Sequence, residues 1–166
     1  MDQKFALEKI IRTLENSTHS FMVRSIATHR NLVTVHSSHQ PSGFNCVIDI
    51  DDRSQVQVSF LIRYPSKLSI ESSPDILLYI SKANVYRNSH PGNWSFDIEE
   101  GELIYYYQWF CDPTGNNFET IFSDLLLRCI LSFECARESI QELIDGKINA
   151  EQAVGEFIKR TTAYFN

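Results

Sequence analysis

A chain of 166 residues, 43% hydrophobic and 22% charged, carries enough apolar material for one core, which excludes intrinsic disorder and any need for disulfide staples. Its net charge is -6, and the imbalance lies in the second half: 9 basic and 8 acidic residues precede Asn84, against 6 and 13 from there onward. With no Lys/Arg cluster, that balance excludes phosphate-rich partners, so neither nucleic acid nor an anionic membrane surface is expected.

No apolar run reaches the roughly 20 residues of a membrane span, and the N-terminus lacks the charged-then-apolar pattern of a signal peptide, so the cytoplasm is the expected compartment. Cys46, Cys111, Cys129 and Cys135 lack CxxC spacing and read as reduced core thiols, with Cys111, beside Asp112-Pro113, the one expected to be exposed. One domain is expected over residues 1–166.

Phe5, Leu7, Ile10, Ile11 and Leu14 recur at the spacing of an amphipathic helix that ends at Asn16-Ser17-Thr18. From Phe21 to Ser38 the chain is rich in Val, Thr, Ile and His without a clean period, which indicates one or two irregular strands. Next, Phe44, Cys46, Ile48 and Ile50 alternate with polar residues, as do Val56, Val58, Phe60, Ile62 and Tyr64. Pairing Asp51 with Gln55 around Asp52-Arg53-Ser54 makes a hairpin with both apolar sets on one face.

Ser72-Ser73-Pro74-Asp75 is a helix start, with a Ser N-cap, Pro where it costs no hydrogen bond, and an acid facing the helix dipole. Ile76, Leu77, Ile80 and Ala83 form its stripe, and the helix is expected to reach about Arg87, before Pro91-Gly92. A second hairpin follows. A tight loop at Glu100-Gly101 would pair Ile98 with Leu103, Phe96 with Tyr105 and Trp94 with Tyr107, placing all six on the core face.

From Phe118 to Ile144 apolar residues recur at Phe118, Ile121, Phe122, Leu125, Cys129, Phe133, Ala136, Ile140 and Leu143, a long helix closed by Gly146. Asn116 with Glu119 and Asn149 with Gln152 have capping-box spacing, and the second pair starts a last helix, about 150–163, bearing Ala153, Val154, Phe157 and Ile158. The predicted fold class is α+β: an antiparallel sheet of about five strands packed against helices, in the order α-β-β-β-α-β-β-α with an extra C-terminal helix.

The helix end around Ala83-Asn84-Val85, the strand entry Gly92-Asn93-Trp94-Ser95-Phe96-Asp97, the turn Glu100-Gly101-Glu102-Leu103 and the long helix after it resemble the YbjN family. These bacterial proteins are often labelled sensory transduction regulators, and their domain is similar to type III secretion chaperones. The match covers the second half well and the first half by element order. It implies a sheet with helices packed on it, a tendency to dimerise and a job of holding another protein. No catalytic residue is carried over, and the final helix beyond Asn149 departs from the shortest members.

His19, His29, His36 and His39 lie in a short span, but His36 and His39 would project to opposite strand faces, and no carboxylate or Cys stands at ligand spacing. No metal or cofactor is expected. Asp49, Asp51 and Asp52, like Glu99, Glu100 and Glu102, read as solvated hairpin ends and not as paired catalytic acids. The outer face of the second hairpin differs. Ile104, Tyr106 and Phe110 are apolar there, opposite Asn93, Ser95, Asp97 and Glu99, and need a cover from the chain's own helix, a second copy or a partner.

The expected function is therefore non-enzymatic: a protein-binding or chaperone-like regulator, a homodimer, that buries a partner segment on apolar sheet or helix surface. The competing expectation is a small enzyme or ligand-binding regulator with a pocket between sheet and helices, lined by Trp94, Tyr105 and Tyr107.

Overall fold

The computed structural model describes residues 2–27, 30–36, 45–51, 56–86 and 90–165. In chain order these form α1 (Asp2–Glu15), β1 (Ser20–Ala27), β2 (Arg30–His36), β3 (Asn45–Asp51), β4 (Gln57–Arg63), α2 (Ser73–Ala83), β5 (Asn93–Asp97), β6 (Glu102–Phe110), α3 (Phe118–Ile144) and α4 (Ala150–Phe165). The class is α+β, and the sheet is antiparallel in the order β1-β2-β3-β4-β6-β5.

It has six strands instead of about five, with four before α2 instead of three. The region without a clean period supplies both β1 and β2. Along β1 only Phe21 is even half-buried, so no burial alternation constrains its sequence and no period is written into it. The chain's contacts divide it into two compact units, Met1–Ile62 with Tyr107–Leu127, and Arg63–Tyr106 with Arg128–Asn166.

The first unit is built on the antiparallel pairs β1–β2, β2–β3 and β3–β4. Val33, Val35, Cys46, Ile48, Ile50, Val58, Phe60 and Ile62 fill its core with Ile10 and Leu14 of α1 and with Phe118 and Phe122 of α3. Phe60 stands 5.8 Å from Phe122 and 6.3 Å from Tyr107, and burying one such ring contributes about 1.5–3 kcal/mol. Phe5, predicted on the packed stripe, is largely exposed beneath the Lys9 ammonium, while Ala6 takes the buried position.

Between β3 and β4, Asp51 pairs with Gln57 and not with Gln55. The shift is two residues, so every side chain keeps its predicted face. Phe44 and Asp52-Arg53-Ser54 lie outside the described residues.

In the second unit α2 follows a 3-10 turn over Ile70–Ser72 and has Pro in its first turn, but Ser72 makes no side-chain cap. Ile76, Tyr79 and Ala83 are its buried stripe; Leu77 is exposed, and Tyr79 takes the place expected of it. The helix stops at Ala83, well before Arg87, which lies outside the described residues. Asn84 ends it. Its Nδ2 donates to the Trp94 carbonyl (2.9 Å), and its Oδ1 accepts from the Trp94 N–H (2.8 Å).

The β5–β6 hairpin pairs Trp94 with Tyr105, Phe96 with Leu103 and Asp97 with Glu102, again two residues from the predicted register. Asp97 sets the turn: its Oδ1 accepts from the N–H groups of Glu99 (3.0 Å) and Glu100 (3.1 Å). Ile98, predicted in the core, therefore sits exposed in the turn. Gly101 closes it at φ +67, where an added Cβ would stand 2.5 Å from the Leu68 carbonyl oxygen.

The second-unit part of α3 buries Cys129, Phe133, Ala136, Ile140 and Leu143 and ends in a Schellman motif, in which Gly146 N–H donates to Leu143 O (3.0 Å) and Lys147 N–H to Glu142 O (2.9 Å). The capping box at α4 is present: Asn149 N–H donates to Gln152 Oε1 (3.0 Å) and Gln152 N–H to Asn149 Oδ1 (2.9 Å). α4 then packs on α2 through Val154 and Phe157.

Candidate protein-binding surface

The three residues singled out on the outer face of β6 are not equivalent. Ile104 and Tyr106, in the second unit, are half-buried and paired across to Ser95 and Asn93 of β5. Phe110, in the first unit at the end of β6, is 58% exposed. Its neighbours turn inward, Trp109 stacking 5.0 Å from Phe118 and Cys111 N–H donating to Val56 O at 3.0 Å.

A larger exposed apolar feature, which sequence reasoning read only as irregular strand, is β1. Met22 is 60% exposed, Val23 40% and Ile26 46%, on a strand of eight residues whose only charge is Arg24. Val23 lies on the face it shares with buried Val33, Met22 lies on the other, and Ile26 sits unpaired at the register shift, so the strand is exposed on both faces. A terminal strand also offers one row of backbone N–H and C=O groups to solvent. Natural edges are usually blunted by shortness, Lys, Pro or a covering element. Among the described residues the one irregularity here is a register shift between Ser25 and Ala27.

The opposite edge of the sheet, β5, is managed differently. It has only five residues, and the Asn84 side chain occupies the outward N–H and C=O of Trp94 as a neighbouring strand would. Of the two edges, β1 is the long and apolar one.

The first unit's outer face also carries a row, Met22, Thr34, Val47 and Leu61, aligned by register, with Val47 and Leu61 half-buried. Beside it the Arg30 guanidinium grips Asp49 with Nε at 2.9 and 3.0 Å from the two carboxylate oxygens. Asp49 is thus an ion-pair partner. Glu100 and Glu102 are likewise paired, with Lys67 (3.0 Å) and Arg63 (3.4 Å).

Trp94 and Tyr105, proposed as pocket walls, fill the second unit's interior instead of lining a space. Their rings are 4.9 Å apart, and Trp94 stacks 5.8 Å from Phe133 and meets Phe157 edge-on at 6.4 Å. Tyr107, in the first unit, is half-buried. A shallow groove of about 230 Å³ lies at the end of α2 against α4, lined by residues including Lys82, Val85, Tyr86, Glu151 and Ile158. It falls below the roughly 300–1,000 Å³ of ordinary small-molecule sites, and Lys82 and Glu151 are already paired at 3.1 Å.

All four cysteines are buried. Desolvation pushes the Cys46 thiol up to about 12 and those of Cys111 and Cys135 up to about 11, so little thiolate forms at neutral pH. Cys111, expected to be exposed, turns inward because its own N–H bonds to Val56 O. Among the described residues no three His, Cys, Asp or Glu side chains are grouped to hold a metal ion. His36 Nδ1 meets Asn45 Oδ1 at 2.6 Å, and His29 and His39 lie outside the described residues. Nor is any described helix long and apolar enough to cross a membrane.

Two polar residues that sequence reasoning passed over belong to the second unit's interior: Asn84, described above, and His90, buried between the Ala83 carbonyl and Tyr105. Ser132 and Ser139, seven apart on α3, lie beside the Tyr105 and Tyr79 hydroxyls. Their signal was available, since both positions fall within the helix's apolar stripe. No protein-family model matches the chain, and no curated protein or solved structure matches it.

Proposed function

We propose that this chain is a non-enzymatic, protein-binding regulator of chaperone-like action, working in the cytoplasm and receiving an extended partner segment along β1. The observation that carries the reading is β1 itself: a terminal strand of eight residues with Met22, Val23 and Ile26 exposed. Strand addition obtains affinity from main-chain hydrogen bonds along such an edge and specificity from alternate side chains. The resemblance to the YbjN family points the same way, and self-association as a homodimer belongs to this reading.

Phe110 in the first unit is a candidate second contact, and Ile104 and Tyr106 in the second unit are another, because aromatic side chains are enriched in interface cores. The competing reading, a small-molecule regulator or enzyme, has less support. The thiols are desolvated, Asp49, Glu100 and Glu102 are ion-paired, and the α2–α4 groove is small.

Affinity capture with quantitative mass spectrometry tests the reading, using the wild type, Met22→Lys with Ile26→Lys, and Tyr106→Lys. Lysines on an exposed edge strand oppose pairing but change stability little, within about 0.5 kcal/mol. Proteins captured by the wild type and lost with the β1 variant support the proposal. Loss only with Tyr106→Lys moves the contact to β6, and equal capture by all three refutes a sheet surface altogether. Light scattering showing a monomer at high concentration removes the homodimer.

A further inference from the structure

His90 is 2% exposed and yet fully hydrogen-bonded. Its Nε2 lies 3.2 Å from the Ala83 carbonyl at the end of α2, and its Nδ1 lies 3.4 Å from the Tyr105 hydroxyl on β6. A carbonyl only accepts, so Nε2 carries the proton. The Tyr105 oxygen accepts from Gly92 N–H at 2.8 Å, which leaves its phenolic hydrogen for Nδ1 or for Ser132 on α3. With that hydrogen on Nδ1, Gly92 N–H, the Tyr105 hydroxyl, the imidazole and the Ala83 carbonyl form one directed chain, which a neutral ring completes. Gly92 leaves room for it, because a Cβ there would stand 2.6 Å from Tyr105 Cζ.

Among the described residues the groups facing the ring are few. α2 presents the Ala83 carbonyl, the entry to β5 the Gly92 backbone, β6 the Tyr105 hydroxyl, and α4 the Phe157 ring at 5.0 Å. Among the described residues no carboxylate, ammonium or guanidinium contributes to its titration. A second proton on Nδ1 would end donation from Tyr105 to the ring and would bury a cation with no counter-ion among the described residues.

We propose that His90 is an acid-sensitive latch, which in its neutral form ties the end of α2 to β6 and the start of β5 against α4, and which releases that packing when Nδ1 is protonated. Desolvation lowers its pKa from the usual histidine value, outweighing the Ala83 and Gly92 backbone groups, which favour the charged ring. With the folded value below the unfolded one, the stability His90 supports is complete above about pH 6.5 and is lost as pH falls from there to the folded value.

The test is nitrogen-15 NMR of the full chain, with amide exchange followed from pH 7.5 to 5. The proposal expects the Nε2–H tautomer, titration below 6.5, and, after correction for intrinsic rates, an opening constant for β5 and α4 that rises up to about tenfold per pH unit below 6.5. In His90→Gln that rise disappears. The Nδ1–H tautomer, titration at or above 6.5, or the same acid dependence in His90→Gln overturns the proposal. Should His90→Gln not fold, the wild-type tautomer and titration decide.

Discussion

Replacing Asn84 by Ala removes two hydrogen bonds that no other residue supplies in the same place: Nδ2 to the Trp94 carbonyl at 2.9 Å and the Trp94 N–H to Oδ1 at 2.8 Å. Each is worth about 1 kcal/mol net, and leaving a buried backbone group unpaired costs about 1–3 kcal/mol more. Because Asn84 is half-buried, water replaces part of the loss, and Ala has the higher helix propensity. The expected cost is about 2 kcal/mol, or about 4–8 °C in melting temperature for a chain of this length. Urea denaturation at pH 7.5 followed by tryptophan fluorescence measures it, since Trp94 sits at the site. Asn84→Asp keeps the acceptor for the Trp94 N–H but sets a carboxylate against the carbonyl, so it should also destabilise. Asn84→Ala within about 0.5 kcal/mol of wild type, or Asn84→Asp as stable as wild type, refutes the clamp and its role as edge cover for β5.

Two further outcomes follow from the same geometry. Gly101→Ala forces a side chain into the left-handed region at φ +67 and onto the Leu68 carbonyl, and a loss of about 2 kcal/mol or more is expected in the same denaturation assay. A disulfide-exchange reagent at pH 8 should leave all four thiols of the native protein unreacted over minutes and titrate all four in denaturant, because each is buried and three are pushed to about 11 or 12. Rapid reaction of one thiol in the native state would contradict the burial of that cysteine.

What could be read from the sequence follows from periodicity. Both hairpins were legible as to face but not as to register. Cys46, Ile48 and Ile50 face the core with Val58, Phe60 and Ile62, as alternation requires, yet each hairpin is displaced by two residues, an error that period two cannot detect. The Asp97 carboxylate, capturing two N–H groups of the turn, decided the second case. The long helix and the Asn149–Gln152 box were legible because their signals are local. By contrast, β1 has no buried face to leave a pattern. Asn84 and His90 depend on partners far along the chain, at Trp94 and at Tyr105 and Phe157. The candidate surface was half legible: Phe110 is exposed as its pattern suggested, Ile104 and Tyr106 only partly, and the β1 edge showed only as irregular strand.

The direct test of strand addition is amide exchange of Ser20–Ala27 in the purified chain, alone and in complex with a captured partner. Pairing along β1 predicts that its outward-facing amides slow by at least tenfold in the complex, while those already bonded to β2 change less. Unchanged exchange throughout β1 in a complex that remains bound would contradict the account and place the contact elsewhere.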